Sequence, residues 1–211
     1  MKTFNQMNRR KLIKLGLYGT GALWASLVVG SNRAAPEHIQ LLPPDRNGVR
    51  LPAGYSSRIV AESSVSPLGG CKYAWHAAPD GGACFADRDG GWIYVSNSEL
   101  DDAEGGAGAL RFDADGKLID AYPVLQGTSR NCSGGATPWG SWLSCEEIDD
   151  GRVWECDPQG VEAAVVRPAL GVFKHEAVAV DSLNRKLYLT EDQVDGYLYR
   201  FTPFNYPDLS A

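Results

Sequence analysis

Short runs of apolar and aromatic residues, each ended by an acidic residue, recur along the chain from residue 92 onward. Each run is followed by a turn and another short alternating run, as in a β-hairpin. Asp-Gly pairs beginning at Asp89, Asp115, Asp150 and Asp195 mark turns, because this dipeptide favours tight hairpin connections. The first runs are residues 92–99, 142–147 and 186–192, and the second runs are residues 108–113, 151–157 and 196–202. The pattern predicts an all-β chain that repeats one hairpin unit.

The spacing of the hairpins predicts a β-propeller. The acids Glu99, Glu147 and Glu191 recur with a period of roughly 45 residues, which is typical of propeller blades. The predicted strands are 82–86, 92–99, 109–113 and 119–125 in the first blade, 131–138, 142–147, 152–157 and 162–167 in the second, and 176–181, 186–192 and 197–203 in the third. Since three blades cannot close a ring, we interpret the chain as an N-terminal fragment of a larger propeller. A small open sandwich, complete in itself, is the alternative.

The first residues have the pattern of an export signal. Arg9 and Arg10 form a twin-arginine pair, and an apolar stretch from Leu15 to Gly30 precedes small residues near Ala35. We interpret residues 1–35 as a signal peptide for the twin-arginine translocase and residues 36–211 as the propeller domain. A membrane anchor is the alternative, although the stretch is short and contains several glycines. The expected location is the bacterial periplasm or the exterior of the cell.

The 211 residues carry a formal net charge of −6, and the acidic excess is larger outside the basic N-terminal segment. A surface this acidic repels nucleic acid and anionic lipid. It also repels a phosphate ester unless bound cations reverse the local field. Action on a phosphate compound would therefore require metal ions. We expect a monomer that acts on a small molecule.

The blade pattern brings metal-capable side chains to one end of the propeller. In an antiparallel blade, the start of the inner strand lies beside the end of the second strand. Cys132, His175 and Glu176 begin inner strands, and the acids that end second strands are Glu99, Glu146, Glu147, Glu191 and Asp192. Clustered carboxylates favour Ca²⁺, whereas a thiolate and a histidine favour a transition metal. The alternative is that these acids are solvated turn residues.

The five cysteines are an odd number, so at least one has no disulfide partner within the chain. If the Asp-Gly turn between the second and third strands of the second blade has two residues, Cys145 lies opposite Cys156 and a disulfide fits there. Cys71 and Cys84 flank a loop and form a second candidate pair. Cys132 is then the remaining thiol, at the predicted metal site. Alternatively, all five are free thiols in a protein that folds in the reducing cytosol before export.

The segment from Asn131 to Glu147, NCSGGATPWGSWLSCEE, closely resembles the hallmark segment of the PhoX-like alkaline phosphatases. The segments FKHEA, from Phe173 to Ala177, and LTED, from Leu189 to Asp192, resemble the next two motifs of that family. Asn97-Ser98-Glu99 resembles its earlier Asn-x-Glu motif. Ser98 stands where better-known members often have histidine, and the short N-terminal region indicates a compact branch of the family.

The resemblance implies a six-bladed propeller with a cluster of ferric iron (Fe³⁺) and calcium (Ca²⁺) at the mouth of its channel. It implies that a cysteine thiolate is among the iron ligands and that carboxylates complete the cluster. The implied ligands are Cys132, Glu146, Glu147 and Glu176, followed by Glu99 and Glu191.

The resemblance also implies hydrolysis of phosphomonoesters. Arg130 would donate charged hydrogen bonds to a phosphate oxygen, or else it is an ordinary loop arginine. His175 would contact the substrate or orient Glu176. The remaining ligands would lie in a C-terminal half, so this fragment alone is expected to be inactive.

The sequence is also compatible with two other functions. A calcium-dependent lactonase-type propeller hydrolase would share the strand-end carboxylates but would need neither a cysteine ligand nor iron. An exported binding propeller would turn over no phosphoester, because a fold does not determine a function. Nothing in the sequence indicates a Ser-His-Asp triad, and Gly134-Gly135 is not followed by the Gly-Lys-Ser/Thr of a P-loop.

Overall fold

The computed structural model describes residues 40–210. The predicted signal peptide, residues 1–35, lies outside the described residues. Within residues 40–210, no helix has the length and apolar character needed to cross a membrane. The described chain divides into two units between Val60 and Ala61.

The short unit, of which residues 40–60 are described, is an irregular segment closed by a β-bridge between Leu41 and Pro52. Asp45 organises its turn, because Oδ1 accepts hydrogen bonds from the backbone amides of Asn47 at 2.8 Å and Val49 at 3.0 Å. The hydroxyl of Ser57 donates to the other carboxylate oxygen and lowers the pKa of Asp45. The predicted metal and substrate ligands all lie outside this segment.

Residues 61–210 form eleven β-strands and one 3₁₀-helix, and this described part of the chain contains no α-helix. The strands are β1 (Pro79–Ala86), β2 (Trp92–Ser98), β3 (Gly105–Phe112), β4 (Leu118–Thr128), β5 (Asn131–Ala136), β6 (Trp142–Glu146), β7 (Val153–Cys156), β8 (Val165–Val166), β9 (His175–Asp181), β10 (Lys186–Glu191) and β11 (Leu198–Phe201). The 3₁₀-helix spans Pro168–Leu170. The prediction of an all-β chain is confirmed.

The strands form three antiparallel sheets with the orders β1-β2-β3-β4, β5-β6-β7-β8 and β11-β10-β9. In each sheet, strands that follow one another along the chain are hydrogen-bonded neighbours, so each sheet is a meander of hairpins. The predicted grouping into successive units of four, four and three strands is therefore confirmed. Sheets of this kind are compatible with propeller blades.

Each hydrophobic core lies between two neighbouring sheets. The first core joins Ile93 and Val95 of β2 to Trp142 of β6. The second core joins Leu143 of β6 to Leu187 of β10. Trp142 and Leu143 are consecutive, and consecutive strand residues point to opposite faces. The second sheet is therefore packed on both faces.

Glycine lets the first strands of the sheets approach one another. A Cβ on Gly135 of β5 would lie 2.0 Å from the carbonyl oxygen of Val178 in β9. A Cβ on Gly81 of β1 would lie 2.8 Å from the Cα of Ser133 in β5. A larger residue at either position would force the strands apart, because protein interiors are close-packed. Strand β5 is thus packed closely against both β1 and β9.

The predicted pairing of Cys145 with Cys156 is wrong. In the β6–β7 hairpin, Cys145 pairs with Val153, and Cys156 lies at the far end of the hairpin. The connection is longer than a two-residue turn, because the backbone amide of Glu146 donates to the carbonyl oxygen of Arg152 at 3.0 Å and closes a wider loop. All five cysteines are free, which agrees with the alternative interpretation of a protein folded in a reducing compartment.

Candidate metal centre

The first strand of every sheet contains a β-bulge near its start. The register shifts between Pro79 and Gly82 in β1 and between Asn131 and Gly134 in β5. In β9 the extra residue follows His175, which pairs with the last residue of β10. A bulge leaves one residue outside the regular ladder and changes the direction of its side chain.

The residue that follows the start of each bulge has a metal-capable side chain. These residues are Asp80, Cys132 and Glu176. Backbone hydrogen bonds place a second acid near each of them. The amides of Glu99, Glu147 and Asp192 donate to the carbonyl oxygens of Ala78, Arg130 and Lys174, at 2.9, 2.9 and 3.1 Å. The same backbone frame therefore occurs three times, once in each sheet.

Cys132 is the centre of the resulting cluster. Its Sγ lies 3.8 Å from Asp80 Oδ2 and 3.7 Å from Glu176 Oε2. Two groups of potential ligand atoms have all members within 4.8 Å of one another, namely Asp80 with Glu99 and Cys132, and Cys132 with Glu147 and Glu176. The Cys132 thiol is therefore a member of both potential ion sites.

The acidic groups of the cluster repel one another. Burial raises the pKa of the Cys132 thiol, and the charges of Glu176 and Asp80 raise it further. Burial also raises the pKa of Glu176, and the charges of Glu147 and Asp192 add to this effect. A bound cation would favour the deprotonated form of both groups. A thiol among carboxylates fits a mixed site for a transition metal and calcium.

Two basic side chains neutralise part of the cluster. Arg130 Nη2 lies 3.0 Å from Glu99 Oε1, and Lys174 Nζ lies 3.0 Å from Glu147 Oε1. Lys174 Nζ also lies 3.7 Å from Asp192 Oδ2. Burial opposes the ionisation of Glu147, but hydrogen bonds from Lys174 and other neighbours outweigh it and lower its pKa. In the two 3.0 Å pairs, the basic residue lies just before the first strand of its sheet. It contacts the acid that follows the second strand of the preceding sheet.

Glu146 and Glu191, two of the predicted ligands, lie outside both groups of ligand atoms. Glu146 Oε1 accepts a hydrogen bond from the backbone amide of Ser129, and Oε2 accepts one from the indole N–H of Trp154, each at 3.0 Å. Glu191 Oε2 accepts a hydrogen bond from the backbone amide of Tyr197, also at 3.0 Å. These carboxylates hold neighbouring backbone segments in place, so their hydrogen bonds are structural.

His175 is fully buried, with 0% of its surface exposed. Its ring packs on Phe173 with a centroid distance of 3.6 Å, and Nε2 lies 3.3 Å from the carbonyl oxygen of Gly171. Burial lowers the pKa of His175 to about 4, so the ring is neutral at neutral pH. A side chain without exposed surface does not reach a substrate, and His175 instead supports the start of β9.

Sequence reasoning alone does not identify Asp80 and Lys174 as site residues. The prediction that the first blade begins at Gly82 excludes Asp80 from the inner strand, whereas β1 begins at Pro79. The signal that could have identified Asp80 is the likeness of PDGG, which begins at Pro79, to NCSG, which begins at Asn131. Lys174 has the same place before Glu176 that Arg130 has before Cys132.

The family model described as alkaline phosphatase PhoX matches residues 96–157 and 149–207, from within β2 to beyond β11. The matched region contains Glu99, Cys132, Glu147 and Glu176, whereas Asp80 precedes it. Neither a curated protein nor a solved structure matches the chain significantly.

Proposed function

The chain belongs to the PhoX alkaline phosphatase family, and we propose that it hydrolyses phosphomonoesters at the Cys132 cluster with calcium and iron bound there. The observation that carries the proposal is a thiol that lies among carboxylates from all three sheets. A site for calcium alone would need only the oxygen ligands. The sulfur therefore favours the phosphatase over the lactonase-type alternative, which needs no thiolate.

The proposed ligand set differs from the one that the family resemblance implies. The proposed ligands are Cys132, Glu147, Glu176, Asp80 and Glu99. Asp80 takes the place of Glu146 and Glu191, because the carboxylates of these two residues are engaged in structural hydrogen bonds. When bound, the cations would neutralise the phosphate and activate an oxygen nucleophile.

Arg130 is the residue that we expect to meet the phosphate. Its side chain is 39% exposed and ends beside Glu99, within the first group of proposed ligands. The guanidinium presents N–H donors in a planar fork that suits phosphoryl oxygens. Negative charge on those oxygens is what a phosphatase must stabilise in the transition state. A positioned guanidinium supplies such stabilisation without a change of its own protonation.

The proposal also includes the fold of the whole protein. The three sheets would be the first blades of a six-bladed propeller, with β1, β5 and β9 as inner strands. Support comes from the meander topology and from the close approach of these strands at Gly81 and Gly135. The Arg9-Arg10 pair supports export through the twin-arginine route to the periplasm.

The test is hydrolysis of p-nitrophenyl phosphate by the natural full-length protein, before and after chelation with EDTA. We expect EDTA to abolish the activity and calcium to restore it. The matched variant Cys132→Ser replaces only the sulfur, and it should lose more kcat/KM than the roughly 10- to 100-fold that removal of an outer partner of a metal ligand costs. A folded, metal-loaded protein without turnover would contradict the proposal. Full activity in Cys132→Ser would indicate a hydrolase that needs no thiolate.

A further inference from the structure

Asn97 belongs to the Asn-x-Glu motif but is not one of the proposed ligands. It lies in β2 of the first sheet and is 0% exposed. Its side-chain amide makes four hydrogen bonds, and all four partners lie in β5 and β6 of the second sheet. A buried amide with both donors and both acceptor positions occupied is fixed in one orientation.

The two donors of Asn97 bind the backbone at the metal centre. Nδ2 lies 3.2 Å from the carbonyl oxygen of Cys132 and 2.8 Å from that of Ser133. These two residues form the bulge of β5, between the paired residues Asn131 and Gly134. Because the bulge interrupts the ladder with β6, Asn97 supplies the hydrogen bonds that its carbonyl groups need.

The acceptor side of Asn97 determines which way the amide faces. Oδ1 accepts hydrogen bonds from the indole N–H of Trp142 at 2.9 Å and from the hydroxyl of Ser144 at 2.8 Å. A flipped amide would place Nδ2 against the indole N–H and Oδ1 against the two carbonyl oxygens, so three of the four hydrogen bonds would be lost. The Ser144 hydroxyl can donate or accept, so it is Trp142 that holds Asn97 in the orientation that binds the bulge.

We propose that Asn97 is a positioning residue that fixes the place of the Cys132 sulfur relative to Asp80 and Glu176. The inference rests on the proposed metal site but not on the reaction catalysed there. A metal ligand must be held within about 0.5 Å of its productive place, and the groups that support it do this. Asn97 gives such support from a neighbouring sheet, so it links the position of the thiol to the packing of β2 against β5.

The test compares Asn97→Asp with Ser144→Ala in the full-length protein. Asn97→Asp keeps the shape of the side chain but replaces the N–H donors by an oxygen that faces two carbonyl oxygens. Ser144→Ala removes one donor to Oδ1 and the acceptor of Asn131 Nδ2, and it leaves both contacts from Asn97 Nδ2 to the bulge. Cobalt(II) is the probe, because a cobalt–thiolate bond gives a charge-transfer absorption that reports the sulfur directly. Thermal unfolding is measured in parallel.

We expect Asn97→Asp to lose the charge-transfer band or to weaken cobalt binding by about 10- to 100-fold, as is typical when an outer partner of a metal ligand is removed. Ser144→Ala should keep the band and the affinity, even if its melting temperature falls. A folded Asn97→Asp variant with unchanged binding would overturn the proposal, and so would an equal loss in both variants at equal stability. If Asn97→Asp does not fold, Asn97→Ser is judged by the same criteria.

The outcome for the unaltered protein separates this inference from the proposed function. A cobalt–thiolate band without phosphatase activity would leave the inference standing while the phosphatase assignment fails. Absence of the band in the folded, unaltered protein would overturn the inference itself, because Cys132 would then be no metal ligand.

Discussion

The second and third sheets present the same backbone frame to the metal centre but fill it with different side chains. In both, a bulge follows the first residue of the first strand, and the amide at the end of the second strand donates back to the loop before that bulge. The equivalent positions hold Arg130, Cys132 and Glu147 in the second sheet, and Lys174, Glu176 and Asp192 in the third. The frame therefore fixes where ligands stand, and the residue type determines which ion each position suits.

Each of the two sheets also has two consecutive acids at the end of its second strand, and the two acids differ in their contacts. Glu146 and Glu191 are the last residues of β6 and β10, and their carboxylates accept hydrogen bonds from backbone amides and ring groups. The residue after each of them, Glu147 or Asp192, lies beside Lys174 near the cluster. Two consecutive acids thus have different roles because of their places in the frame.

Substitution of Glu147 and of Glu146 tests whether these consecutive acids of the second sheet have different roles. Glu147→Gln should lose more metal affinity than the roughly 10- to 100-fold of an outer-partner variant, because it removes the charge of a proposed ligand. Its melting temperature should stay near that of the unaltered protein. Glu146→Gln should keep its metal affinity but lose about 1 kcal/mol of stability, because its new NH₂ group faces part-buried N–H donors. Calorimetric titration with calcium and thermal unfolding measure both quantities, and the reverse pattern would refute the division.

The strands could be predicted from the sequence because their signals are local. Alternation of apolar residues and the position of turn residues define a hairpin without reference to the rest of the chain. Strand β6, for example, was predicted at residues 142–147 and is observed at Trp142–Glu146. The grouping into three sheets followed from the repeat for the same reason.

The site was predicted less completely because it depends on register. A bulge forms between two strands, and neither strand alone shows where the ladder shifts. Asp80 was therefore not assigned to an inner strand, and Glu146 was predicted as a ligand together with Glu147. The wrong pairing of Cys145 with Cys156 has the same cause, since it rested on an assumed turn length. The thiol Cys132 was identified because its motif is specific.

A second prediction concerns the two residues that pair with Glu146 and Glu191 across their sheets. Asn131 in the second sheet and His175 in the third occupy equivalent, fully buried positions. Burial lowers the pKa of His175 to about 4, whereas an unfolded chain has a histidine pKa near 6.5. Between these values the unfolded state binds more protons, so stability rises with pH. The contribution of the neutral His175 ring to the free energy of unfolding should therefore be fully present above about pH 6.5. It should fall by up to about 3 kcal/mol as the pH falls to about 4.

The matched variant for this prediction is His175→Asn, which gives the third sheet the residue of the second. Denaturant unfolding of the metal-free protein between pH 4 and pH 7 should show a smaller pH dependence in His175→Asn than in the unaltered protein. Carboxylates such as Glu176 titrate in both proteins, so the difference between the two curves isolates the ring. Parallel curves would show that folding does not lower the pKa of His175.

A weaker effect on calcium binding is expected from the two basic side chains of the repeated frame, Lys174 and Arg130. Lys174 pairs with Glu147, whose side chain is 9% exposed, whereas Arg130 pairs with Glu99, whose side chain is 26% exposed. Each basic side chain competes with a metal ion for its carboxylate, and ion pairs that solvent screens are weak. Lys174→Met should therefore tighten calcium binding by about 2- to 5-fold, and Arg130→Met should tighten it less, since solvent screens the more exposed pair more strongly. Calorimetric titrations with calcium at low and high salt measure the effect. Weaker calcium binding in Lys174→Met would show that the ammonium group holds Glu147 in its binding position, so that the second and third sheets cooperate at the site instead of competing for it.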